Sequence, residues 1–142
     1  MNLNHRLPRI VVKPDLLSED FLPSHLHARQ RQLQELKACM SPALRRQKPI
    51  HAWLHGRPGT GKTSVARKIL EEMKEAGIQG SLVNYRRNNS FFSILDSLLD
   101  ELRVLCSEER RTTYKFNALQ KHVGDKPFVL VLDEIDQMPL KE

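Results

Sequence analysis

The stretch Gly56-Arg57-Pro58-Gly59-Thr60-Gly61-Lys62-Thr63 fits G-x-x-x-x-G-K-T at every fixed position. Few short patterns constrain a fold as tightly. Such a loop is built where a strand delivers the chain and a helix carries it away. Ile50 to His55 reads as the strand. Lys62 to Ala76 reads as the helix: Val65, Ile69, Leu70 and Met73 share one face, and Gly77 suits its C-terminal cap. The chemistry is that of phosphate. Gly56, Gly59 and Gly61 let the backbone wrap an anion with its amide hydrogens inward. The helix start adds its positive dipole end. Lys62 supplies a cation for the terminal phosphates, and Thr63 a hydroxyl for Mg2+.

A second pattern completes the chemistry. Phe128 to Leu132 is an unbroken apolar run, expected to be a strand covered on both faces, and Asp133-Glu134 follows it. In an open α/β sheet ligands bind at that end of a strand. Asp133 is placed to hold Mg2+, directly or through water, and Glu134 to take a proton from an attacking water. Asp136 reads as a polar surface group. The pair of motifs predicts a bound nucleoside triphosphate, ATP in the first instance, with hydrolysis in the right context.

The rest of the chain supplies helices and one more strand. Leu26, Leu33, Leu36, Met40 and Leu44 trace one face of a helix from Ser24 to about Arg46, with Pro42 bending or ending it. Ser81 to Tyr85 reads as a strand. Asn89 or Ser90 caps a helix carrying Phe91, Ile94, Leu95, Leu98, Leu99 and Leu102, apolar over a wide arc and so well buried. Thr112 to Val123 is a further helix, and Gly124 to Pro127 a turn. Trp53 is expected in the core. Alternating strands and helices give an α/β fold with a parallel sheet. Residues 1–20, broken by Pro8 and Pro14, read as an extended arm, and residues 21–142 as the folded domain.

Charge and cysteines narrow the setting. Residues 1–70 hold 13 Lys and Arg against 4 Asp and Glu, whereas residues 71–142 hold 10 against 13. A basic first half can meet nucleic-acid phosphates, in a salt-sensitive way without sequence preference, although a solvated basic face is the commoner explanation of such a charge excess. Cys39 and Cys106 have no metal-ligand spacing and read as buried, reduced thiols of a cytoplasmic protein. The six histidines form no metal-ligand group either. No stretch approaches the ~18 apolar residues of a membrane helix, and no membrane partner is expected.

Beyond the two motifs, the chain resembles the origin-recognition and replication-initiator branch of the AAA+ ATPases, the archaeal origin-binding initiators in particular. Phe21-Leu22-Pro23-Ser24-His25-Leu26 with Arg29 and Leu33 resembles the N-terminal box of that family, P-x-x-L-x-x-R-x-x-x-[IL]. Ser41-Pro42-Ala43-Leu44 and Pro49 resemble its link to the first strand. Val83-Asn84-Tyr85 is similar to its V-N-C strand end, with Tyr85 in place of Cys, and Leu132-Asp133-Glu134-Ile135-Asp136 to its L-D-E-I-D.

The resemblance implies a P-loop NTPase of the kind that carries its own base, a three-layer parallel sheet ordered 5-1-4-3-2, here expected to be truncated after the third core strand. It implies that Gly56, Arg57, Pro58, Gly59, Thr60, Gly61, Lys62, Thr63 and Ser64 line ATP and that Arg29 lies beside the nucleotide. It assigns Thr63 and Asp133 to Mg2+ and Glu134 to catalysis. It also implies origin DNA, neighbouring AAA+ subunits and a replicative helicase as partners. The family's polar sensor, arginine finger, helical lid and winged helix are not among these residues. Another AAA+ ATPase of DNA metabolism, such as a clamp loader or transposition helper, and a module that binds nucleotide without turnover remain open on the sequence.

Overall fold

The computed structural model describes Lys13, Ser18 and residues 21–105 and 111–137. The expected arm, apart from Lys13 and Ser18, and Cys106 lie outside the described residues. Among those described, the order is α1 (Gln30–Leu44), α2 (Lys62–Glu75), β1 (Gln79–Asn84), α3 (Phe91–Glu101), α4 (Thr112–Val123) and β2 (Phe128–Asp133), with a short 3-10 turn at Ile135–Gln137.

The two strands are parallel neighbours, Gln79 opposite Phe128 through Asn84 opposite Asp133. This is the adjacency expected of the second and third strands of the implied sheet. Side chains alternate across it. Val129, Leu82 and Val131 join Leu36, Val65, Ile69, Leu70 and Met73, the core under α1 and α2. On the other face Val83 and Tyr85 meet Ile94 and Leu98 of α3, with Phe128 and Leu119 packed alongside. The result is helix, sheet, helix, the α/β architecture expected.

Local chemistry explains the helix ends. The α2 terminus is a glycine cap: Gly77, φ 84°, lets its N–H reach Lys74 O at 3.0 Å while Ile78 N–H reaches Met73 O at 2.9 Å. Ser90 caps α3, accepting from Ser93 N–H, and the Ser93 hydroxyl accepts from Ser90 N–H in return. In α1 Pro42 cannot bond the Ala38 carbonyl, and the Ser41 hydroxyl donates to it instead, at 3.1 Å. The helix ends two residues later. Buried Lys115 on α4 pairs with Asp96 and lies 4.2 Å over the Phe92 ring, which ties α4 to α3.

Four expectations are corrected. Ile50 to His55 forms no strand, because a strand requires a hydrogen-bonded neighbour and, among the described residues, only β1 and β2 pair. Its Ile50 N–H bonds Cys39 O at 3.1 Å, and Leu54 packs on the α1–α2 core. Trp53 is accordingly not core but 70% exposed. The apolar run of β2 is not covered on both faces: Leu130 and Leu132 are 42% and 37% exposed. They face the side of α3, but α3 lies over β1. Finally, α1 starts at Gln30 rather than Ser24, because the chain turns through Ala28, φ 57°, a left-handed residue that no helix contains.

Candidate nucleotide site

The phosphate loop joins Leu54, anchored in the core, to the first turn of α2. Gly61 is the α2 N-cap and Gly59 sits in the bend before it, with φ of 82° and 73°. Both are left-handed conformations that strain any residue with a Cβ. Internal bonds set the loop's shape. The Thr60 hydroxyl donates to Arg57 O at 2.8 Å. The Lys62 ammonium reaches back to Gly56 O at 3.0 Å and Arg57 O at 3.1 Å. An ammonium has three donors, so one remains beyond those two bonds. Arg57 and Pro58 are exposed at the tip, and Ser64 is half-buried in the first turn of α2.

Asp133 lies at the C-terminal end of β2, and the fold brings it to the start of α2. The Thr63 hydroxyl donates to Asp133 Oδ2 at 2.9 Å, joining residues 70 apart in sequence. The other oxygen, Oδ1, accepts the Glu134 N–H at 3.1 Å. Glu134 has φ 55°. A left-handed non-glycine residue costs about 1–3 kcal/mol and persists where its surroundings hold it. Here the Asp133 carboxylate, the bond from Tyr85 N–H to Asp133 O at 2.9 Å and that from Gln137 N–H to Glu134 O at 3.1 Å hold it. The Glu134 side chain is left exposed beside Asp133.

The oxygen pair of Thr63 and Asp133 suits Mg2+, which prefers hard oxygen ligands and completes its shell with water and substrate phosphates. Among the described residues no cluster of three or more His, Cys, Asp or Glu could hold a metal. One carboxylate and one hydroxyl leave the rest of a cation's shell to water and phosphate oxygens. Together the groups can cradle an anion, neutralise it, orient a cation and present a carboxylate to water.

The structure brings the phosphate loop, Thr63 and Asp133 together, and two contacts add to the sequence expectations. The Arg29 guanidinium lies against the loop itself, Nη2 donating to Thr60 O at 2.6 Å. Asn84 had no site role in the sequence reading, yet it is the register partner of Asp133. Its side-chain oxygen Oδ1 accepts the Arg86 N–H at 2.9 Å, fixing the turn that leaves β1 beside the site. The signal for it was a polar residue ending an apolar strand, as at Asp133.

Comparison with known proteins gives a consistent picture. The AAA ATPase domain profile matches residues 25–140. The chain is 29% identical over 127 residues to ORC1-type DNA replication protein 2 of Archaeoglobus fulgidus, covering 87% of this chain and 33% of the relative. It is 31% identical over 140 residues to ORC1-type DNA replication protein 1 of Sulfurisphaera tokodaii, covering 94% and 35%. Among solved structures it is similar to the Aeropyrum pernix ORC1 protein in complex with DNA, with a TM-score of 0.77 and 28% identity over 92% of this chain and 37% of that one. The fold also matches Cdc6p from Pyrobaculum aerophilum, with a TM-score of 0.68 at 19% identity over 91% of this chain and 46% of that one. The chain thus spans about a third of the length of the curated relatives it matches. No helix among the described residues is long and apolar enough to cross a membrane.

Proposed function

Because the chain belongs to the AAA ATPase domain family, we propose that residues 21–142 form the nucleotide-binding part of a cytoplasmic DNA replication initiator, taking ATP with Mg2+. The observation that carries this reading is the 2.9 Å bond between Thr63 and Asp133, which joins the phosphate loop to the acid pair at one point.

Lys62 and the amides of Gly56 to Ser64 bind the phosphates. Thr63 and Asp133 hold Mg2+, which when bound draws charge from the phosphates. Glu134, exposed next to Asp133, would accept the proton of the attacking water in a complete protein. Contact with origin DNA, action alongside AAA+ neighbours and loading of a replicative helicase belong to the same reading. They are supported by the naming of the relatives and by the DNA complex of the Aeropyrum pernix protein. The excess of cations in residues 1–70 suits phosphate contact.

Glu134→Gln in the whole protein tests the assignment. ATP affinity should stay within about twofold while turnover falls on the order of 10²–10⁴. Normal turnover in that variant would remove Glu134 from the mechanism.

A further inference from the structure

The family resemblance implies a place for Arg29 beside the nucleotide. In the structure its guanidinium lies against the loop. Nη2 donates to Thr60 O at 2.6 Å, and a Cβ built on Gly61 would lie 4.0 Å from Arg29 Nε. Arg29 stands at the N-cap of α1 but makes no side-chain cap bond there.

Both ends of this contact are fixed. On one side, α1 packs on α2 through Leu36 within the core of Val65, Ile69 and Met73, and Lys37 pairs with Glu72 at 2.9 Å. On the other, Gly61 is the N-cap of that same α2. Arg29 therefore links the start of α1 to the loop residue just before α2, the helix on which α1 packs.

The peptide joining Thr60 to Gly61 is trans, as no cis bond is present among the described residues. In a trans peptide the C=O and the following N–H lie in one plane and point in opposite directions within it. Holding the Thr60 carbonyl toward Arg29 turns the Gly61 N–H away from it.

We propose that Arg29 is a positioning residue: by holding the Thr60 carbonyl it sets the Gly61 N–H to face a bound phosphate before any nucleotide arrives. This rests on the nucleotide-binding reading above, and it makes Arg29 indifferent to the base. A shape set in advance lowers the ordering cost of binding.

The test has one arm without ligand and one with it. In amide NMR spectra of the nucleotide-free, labelled chain, Arg29→Ala should shift Thr60, Gly61 and Lys62 and speed their hydrogen exchange, leaving α3 and α4 unchanged. Arg29→Lys, which keeps a cationic donor group of similar reach, should restore part of the effect. In the second arm, affinities for ATP, GTP and inorganic tripolyphosphate should all fall in Arg29→Ala by one factor, on the order of tenfold. Unchanged loop amides would overturn the proposal. So would a loss confined to ATP, which would mark a contact with adenine. A wild type that binds none of the three sinks the nucleotide reading itself, and the ligand-free arm then decides the role of Arg29 alone.

Discussion

The bond between Thr63 and Asp133 can be weighed directly. Thr63→Val keeps the β-branched shape and removes only the hydroxyl. Asp133→Ala removes the acceptor, together with the bond that Oδ1 accepts from Glu134 N–H at 3.1 Å. That second loss occurs whether residue 63 is Thr or Val, so it cancels in a double-mutant cycle. What remains is one hydrogen bond to a carboxylate at 2.9 Å, partly buried. Such bonds contribute about 1.5–3 kcal/mol when well shielded. Partial exposure places this one near the lower end, a coupling of about 1–1.5 kcal/mol, or roughly a factor of five to ten in the folding equilibrium. Urea unfolding of the wild type, the two single variants and the double variant, followed by circular dichroism at 25 °C, measures it. A coupling within about 0.3 kcal/mol of zero would refute the claim that these side chains hold the loop to the strand end in the free protein.

Two further outcomes follow from packing. At Gly80 an added Cβ would meet Leu70 Cδ1 and the Val129 carbonyl oxygen at 2.6 Å each, and one of those is backbone of the partner strand. Gly80→Ala should therefore destabilise by about 1–3 kcal/mol despite the better strand propensity of alanine, read as a lower urea midpoint. Leu130 and Leu132 are exposed on one face of β2, and Trp53 and Ile50 are exposed in the segment before the loop. The 142-residue chain should associate with rising concentration, and Leu130→Lys with Trp53→Ser should reduce that association in light scattering.

What could be read from the sequence was what local chemistry decides. The phosphate loop, the glycine cap at Gly77, the Ser90 cap of α3 and the bounds of α4 at Thr112 and Val123 all depend on residues within a turn of one another, and all are found. Asp133 was legible as well, because an acid ending an apolar run marks a strand end in any parallel sheet. The misses are tertiary. Ile50 to His55 has the composition of a strand, but pairing requires a partner that the segment's own residues do not encode. Trp53 and Leu132 are apolar and exposed for the same reason: periodicity gives a face, not what covers it. The turn at Ala28 hides behind a helical spacing that begins at Leu26. The contact of Arg29 with Thr60 spans 31 positions and has no sequence signature, since an arginine in that place suits a nucleotide as well as a carbonyl.

The central claim is that this loop binds a nucleoside triphosphate, and Lys62 tests it most directly. In the structure its ammonium closes the loop on Gly56 and Arg57 and keeps a donor for phosphate. Titration of the wild type and Lys62→Ala with a fluorescent ATP analogue in Mg2+, with thermal midpoints checked for both, gives the answer. Loss of a charge-assisted contact of about 1.5–3 kcal/mol should weaken binding at least ~10-fold while the fold is retained. Equal affinity in the two proteins, or no binding by the wild type, would contradict the account.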